Sequence, residues 1–169
     1  PTIVVVAAIW PFVIMFGMHV PVMMALLPTW MEMGYDAIVS PATIASNLAG
    51  IGVELAYALR AGSRENKELG WTCFVTHVTA NISEPALYGI FLRDRKALAW
   101  DMLGAVAGGG TMGPRGGKGP LFSGVGFPFL EFLRFGEYSV PGAIGMVVAF
   151  GVSLALGLVF GFEKAQQKN

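Results

Sequence analysis

The chain has 169 residues, of which 54% are hydrophobic and 13% charged, with a formal net charge of zero. Ordinary soluble domains carry about 25% charged residues, so this is a membrane composition, and it offers no electrostatic case for nucleic acid. A single cysteine, Cys73, excludes an internal disulfide and a cysteine-cluster metal site, and two histidines without ligand spacing make no case for a metal.

Residues 1–31 carry no ionised side chain. As one straight helix, residues 1–28 would be about 42 Å long, against a hydrocarbon core of about 30 Å. The centre of the block reads Phe16-Gly17-Met18-His19-Val20-Pro21, where Gly and Pro flank a lone His. A helix break is expected there, either as the tip of a re-entrant hairpin or as a kink in one span. The chain opens at Pro1 without an initiator Met, a basic n-region or a small-residue cleavage site. That opening reads as a chain lacking the N-terminal part of something larger. Glu32 and Asp36 then form a short acidic link.

Ile38 to Leu59 is apolar and rich in small residues, with Glu54 inside it, and Arg60 to Glu68 is a charged loop. Trp71 to Leu92 is uncharged except for Glu84, which Pro85 follows directly. A carboxylate at membrane depth costs several kcal/mol unless it is paired, protonated or facing water. Pro removes a backbone donor and breaks helical bonding, and a broken helix is tolerated in the bilayer only where protein or a watery cavity satisfies the freed groups. Glu84 is therefore the leading candidate for contact with a polar substrate.

Arg93-Asp94-Arg95-Lys96 is a second charged loop, and Ala97 to Met112 is apolar apart from Asp101. Residues 113–137 are rich in Gly and Pro; their glycines lack the Gly-Lys-Ser/Thr ending of a phosphate loop and read as loop flexibility. Val140 to Phe162 is the clearest spanning helix, with glycines at 142, 145, 151, 157 and 161 that admit close helix approach. Residues 163–169 form a solvated tail.

Both the Arg60–Lys67 loop and the Arg93–Lys96 loop are basic, and cytoplasmic loops are enriched in Lys and Arg. If residues 71–92 dip in and return, both loops lie inside, as does the C-terminus. The two broken segments then enter from opposite faces, an arrangement found in transporters. The expected class is all-α and integral to the membrane, with transmembrane helices plus re-entrant helical hairpins.

Ile82-Ser83-Glu84-Pro85-Ala86-Leu87-Tyr88-Gly89 resembles the Ile-Thr-Glu-Pro-Ala-Ile-Tyr-Gly signature of the IIC permease of the bacterial phosphoenolpyruvate-dependent sugar phosphotransferase system. The similarity is to the glucose superfamily, in its β-glucoside, sucrose and trehalose group. Phe16 to Pro21 resembles that family's Gly-x-His-Trp segment, Gly34-Tyr35-Asp36 with Pro41 to Asn47 its Tyr-Gly-Tyr-Asp and small-residue stretch, and Ala105 to Gly110 its Gly-Gly-Ala-Ile-Gly-Gly turn. Asn81 stands where the family usually has Gly, Val20 where it has an aromatic residue, and Ser83 where it has Thr.

The resemblance implies residues 1–162 as the C-terminal, substrate-handling part of a IIC domain, in the bacterial inner membrane with a cytoplasmic C-terminus. It implies a glucoside-type sugar as substrate, IIB and IIA phosphocarrier partners, and a homodimer formed through N-terminal helices. It assigns sugar contact to Glu84 and His19, with Asn81, Ser83 and Tyr88 as further substrate-binding candidates. No cofactor, metal or catalytic residue is expected. The chain carries no phospho-acceptor: Cys73 lacks a IIB-like setting.

For His77 the expected role is packing or an interhelical hydrogen bond. Glu54 reads as structural, snorkelling or pairing with Arg60. Ser46 and Asn47 either line the path or bond another helix. Trp10, Trp30, Trp71 and Trp100 lie near segment ends, where interface anchoring is the default. The rival functions are a proton-coupled secondary sugar transporter using Glu84, and a non-transporting membrane fragment.

Overall fold

A computed structural model describes residues 2–113, 119–120 and 140–163. The elements are α1 (Thr2–Met15), α2 (His19–Met33), β1 (Tyr35–Asp36), α3 (Val39–Arg60), α4 (Arg64–Ala80), α5 (Glu84–Ala86) running into a π-helical turn (Leu87–Phe91), α6 (Arg95–Met112), β2 (Gly119–Pro120) and α7 (Val140–Phe160). Most of the expected Gly- and Pro-rich stretch and of the C-terminal tail lies outside the described residues. The described fold is all-α apart from one short antiparallel pair, Tyr35 opposite Pro120 and Asp36 opposite Gly119.

Local chemistry explains the helix ends. Gly34 closes α2 in the left-handed region, at φ 71°, where its N–H bonds to the Trp30 carbonyl. Asp36 starts α3: its carboxylate accepts from the backbone N–H of Ile38 at 2.9 Å and of Ser40 at 2.6 Å. Ser63 caps α4 through Asn66 N–H, and Asp94 caps α6 through the N–H groups of Lys96 and Ala97. Each cap supplies an acceptor to donors that have no partner within the helix.

Among the described residues two helices, α3 and α7, are long and apolar enough to cross a membrane. They differ in burial: 78% of the apolar window of α3 is buried against 28% for α7. α3 is thus the central pillar, packed on α1, α4, α6 and α7, while α7 keeps a broad apolar outer face. Small residues let α3, α6 and α7 meet closely. A Cβ added to Gly108 would lie 2.7 Å from the Gly145 carbonyl oxygen, and one added to Gly145 would lie 2.8 Å from that of Gly108. Gly157 faces Ala56 in the same way. Of the α7 glycines named from sequence, Gly151 faces open space and Gly161 ends the helix at φ 68°.

One end of the bundle is tied together. Arg60, closing α3, donates to the carbonyls of Leu158 and Val159 near the end of α7. Asp94 also accepts from Glu163 N–H at 2.8 Å, and Trp100 Nε1 donates to the Gly161 carbonyl at 3.1 Å. Gly70 on α4 lies against Ala58 of α3. Both basic loops and the C-terminal end of α7 therefore share one end. α1 runs the other way: Ile3 and Ala7 pack on Gly109 of α6, at the far end of that helix.

The first block breaks at Gly17, φ 69°, within the expected segment. The packed antiparallel pair expected of a hairpin does not form there: α1 packs on α3 and α6, and α2 makes no extended contact with α1. The second break is different. After Asn81 the chain returns beside α4, so that Gly89 faces Leu69. Trp10 and Trp30 are buried, at 4% and 1% exposure, rather than set at a surface belt.

Candidate functional site

The break after α4 is built from three residue choices. Asn81 takes a left-handed conformation, φ 55° and ψ 36°, with its N–H on the His77 carbonyl at 2.8 Å. It is the one non-glycine residue with positive φ among the described residues. Asn tolerates this region better than other residues with a Cβ, which explains physically why Asn can stand where the resembling motif has Gly. Ser83 then accepts, through its carbonyl, from Ala86 N–H and Leu87 N–H, both at 3.0 Å. Pro85 falls in the first turn of α5, where its absent N–H costs little. The π-helical turn closes with Leu92 N–H on the Leu87 carbonyl at 3.0 Å; single π turns are frequent at functional sites.

The two breaks meet. The hydroxyl of Tyr88 donates to the carbonyl of Met15, the last residue of α1, at 3.2 Å. Ser83, Leu87 and Phe91 line a small pocket with Pro11 and Ile14 of α1. His19 opens α2, half-buried, with its Nδ1 enclosed and without a hydrogen-bond partner among the described residues. Glu84 is exposed, does not line the pocket, and its carboxylate has no hydrogen-bond or ion-pair partner among the described residues.

In the rest of the pocket wall, the sequence leaves Ser46 and Asn47 open between lining the path and bonding another helix, and does not single out the other residues as a site. That part of the wall consists of Ser46, Asn47 and Gly50 of α3, His77 of α4 and Asp101 of α6. His77 Nδ1 lies 2.8 Å from Glu54 Oε1, joining α4 to α3 with both side chains buried, at 1% and 0% exposure. The interhelical hydrogen bond expected of His77 is present. The pairing suggested for Glu54 is corrected: Arg60 is engaged with the end of α7, and Glu54 lies one and a half turns deeper, fully enclosed. Asp101 is 1% exposed. Its Oδ1, with His77 Nε2 and Glu54 Oε2, has no hydrogen-bond partner among the described residues.

Gly50 makes room for this cluster. A Cβ there would lie 3.3 Å from His77 Cε1 and 3.7 Å from Asp101 Oδ1. Gly50 is ten residues from the end of α3 and Asp101 six from the start of α6, so the cluster sits about 9–15 Å in from the basic end at 1.5 Å per residue. That is toward the middle of a core about 30 Å thick. The available sequence signal was Glu54 and Asp101, each the single acidic residue of an apolar stretch, with His77 in the uncharged half of α4; such groups inside a membrane protein pair with one another or face a cavity. No group of three His, Cys, Asp or Glu side chains among the described residues is placed to hold a metal ion.

No family model matches the chain, and no solved structure matches it. Curated relatives do. The chain is 29% identical over 161 residues, 95% of its length, to the "PTS system beta-glucoside-specific EIIBCA component" of Bacillus subtilis, covering 26% of that protein. It is 30% identical over 169 residues, 96% of its length, to the "PTS system arbutin-, cellobiose-, and salicin-specific EIIBC component" of Escherichia coli, covering 34% of it. It is 26% identical over 169 residues, 98% of its length, to the "PTS system glucose-specific EIIBCA component" of Corynebacterium glutamicum, covering 24% of it. The chain thus spans about a quarter to a third of the length of these relatives. Over most of its own length it is homologous to EIIC-containing components of the phosphotransferase system, of the β-glucoside and glucose type.

Proposed function

We propose that this chain is the sugar-handling part of a phosphotransferase-system permease, binding a glucoside between two broken helices inside the bacterial plasma membrane. The observation that carries the reading is the meeting of the breaks: Tyr88 on the end of α1, and Ser83 at a polar pocket walled by α1, α3, α4 and α6. Sugars offer hydroxyls and apolar ring faces. Glu84 and His19 supply acceptors or donors for the former, and Tyr88 a platform for the latter; Asn81 shapes the turn that presents Glu84. The exposed carboxylate of Glu84 is free to bind a ligand that approaches from outside the pocket.

Topology follows from the tied end. Six of the eleven Lys and Arg residues, at positions 60, 64, 67, 93, 95 and 96, lie in the loops and first turns at that end. By the positive-inside rule that end is cytoplasmic. α4 with its return arm is then re-entrant from the cytoplasm, while α1 descends from the other face. One relative's name records B and A parts beside C and another's a B part, which supports a phosphorylated IIB partner as the phosphoryl donor, supplied in turn by IIA. The chain's own contribution is positioning of the sugar hydroxyl.

The test is phosphorylation of salicin by proteoliposomes holding the chain, with phosphorylated IIB and IIA supplied. Glu84→Gln lowers the rate about 100-fold, the scale of losing substrate alignment. Unchanged turnover in that variant refutes the assignment. One observation favours a second reading: the buried Glu54–His77 pair beside Asp101 is the kind of group a proton-coupled transporter uses. Proton-dependent uptake of unphosphorylated salicin would decide for it.

A further inference from the structure

We propose that one hydroxyl of the bound sugar seats in the pocket between α1, α3, α4 and α6, hydrogen-bonded to Asp101 Oδ1 and His77 Nε2, with Glu54 as the positioning residue that holds the imidazole. This rests on the sugar-permease reading and adds three residues on three helices to it.

The pocket is built for a group of this kind. Asp101 and His77 are each 1% exposed, line the cavity, and present atoms without a hydrogen-bond partner among the described residues. Buried polar atoms in folded proteins are nearly always satisfied, so these two mark an occupant. The Nδ1 of His77 is already committed to Glu54 at 2.8 Å, which fixes the ring and leaves Nε2 as the ring nitrogen open to an occupant. A hydroxyl is both donor and acceptor. It donates to the Asp101 carboxylate and meets the imidazole with its remaining hydrogen-bonding capacity.

Size and place agree with this. The space is about that of one hydroxyl or one water, too small for a ring but sufficient for one arm of it. The wall includes Ser83, the residue before Glu84, so a ring held by Glu84 lies beside the pocket mouth. Gly50 keeps the floor open, since a Cβ there would press on His77 Cε1 at 3.3 Å and reach contact with Asp101 Oδ1 at 3.7 Å. A resident water offers the same O–H chemistry as the sugar, and the experiment separates the two.

The chain has two histidines, so ¹⁵N-histidine labelling of the full chain in nanodiscs reports two imidazoles, and His77→Gln assigns them. On titration with salicin, the Nε2 resonance of His77 moves saturably and Nδ1 moves little. Asp101→Asn weakens salicin binding about tenfold, the scale of one buried hydrogen bond. A single monodeoxy analogue of salicin binds the parent protein and Asp101→Asn alike, because the hydroxyl lost from one and the carboxylate lost from the other are the same contact. Gly50→Ala, which narrows the pocket while leaving both polar side chains in place, weakens salicin more than that analogue.

Salicin binding with an unmoved Nε2 resonance overturns the proposal, since water or a proton then holds the site. Equal losses for every deoxy analogue in both proteins overturn it as well. If in either case binding is still abolished by Glu84→Gln, the sugar-permease reading stands and this inference alone falls. Absence of binding to salicin, arbutin and cellobiose overturns both.

Discussion

Removing His77 leaves the Glu54 carboxylate enclosed at 0% exposure with no partner, and removing Glu54 leaves the imidazole Nδ1 orphaned. Two magnitudes compete for the outcome. Interhelical hydrogen bonds in membrane proteins average only about 0.6 kcal/mol in double-mutant cycles. Breaking a buried charged pair by deleting one member costs about 3–5 kcal/mol, because the survivor is uncompensated. The geometry here favours the larger figure: a 2.8 Å contact, both groups inside the bundle, and no second acceptor or donor on either remaining atom among the described residues. His77→Leu is therefore expected to lose about 3–5 kcal/mol. Glu54→Leu loses about 1–3 kcal/mol, the desolvation of a lone imidazole donor. The double variant stays close to the parent, since replacing both partners by apolar groups is often neutral. Reversible unfolding of the full chain in mixed micelles, read by tryptophan fluorescence and taken through the complete cycle, measures the coupling. A coupling energy below about 0.6 kcal/mol, or additive losses in the double variant, refutes the view that the pair acts as one buried unit.

The same unfolding assay checks three further expectations. Gly145→Val forces Cβ against Met112 and the Gly108 carbonyl and costs about 1–3 kcal/mol or more, whereas Gly151→Ala, facing open space, is neutral or gains up to about 1 kcal/mol. Asn81→Gly is tolerated within about 0.5 kcal/mol, while Asn81→Val, at φ 55°, loses about 1–2 kcal/mol; the reverse ranking would mean the turn is not left-handed. Asp94→Ala removes the α6 cap and the bond from Glu163 N–H together, costing about 1–2 kcal/mol, and hydrogen exchange shows faster opening at both helix ends.

The interruptions were legible because they are written in local chemistry. Gly17 and the Asn81–Pro85 turn place a left-handed residue or an absent donor where a helix must stop, and the stops occur there. The span from Val140 was legible from its length alone. The relation of α1 to α2 was not: Gly17 marks a break but not the angle across it, which is decided by where α1 finds small residues to pack on, at Gly109 of α6. The Glu54–His77 pair was hidden for a similar reason. The two residues are 23 positions apart on different helices, and their meeting depends on how α4 lies on α3. Asp101 stands in the sequence only as the one charge of the stretch 97–112, and it is the bundle that brings it beside Gly50.

The fastening of α3, α6 and α7 at one end has a mechanical meaning. Arg60 grips the last carbonyls of α7, and Asp94 holds both the start of α6 and the backbone just beyond α7. These three helices form a rigid frame that cannot splay at that end without breaking charge-assisted bonds. α4 and its return arm meet the frame over a narrower seam, and α1 touches the arm through one tyrosine hydroxyl and a few apolar side chains. Rocking that opens and shuts the cavity is thereby channelled into α4 and the returning arm, swinging against the trio and the α1 helix packed on α3 and α6.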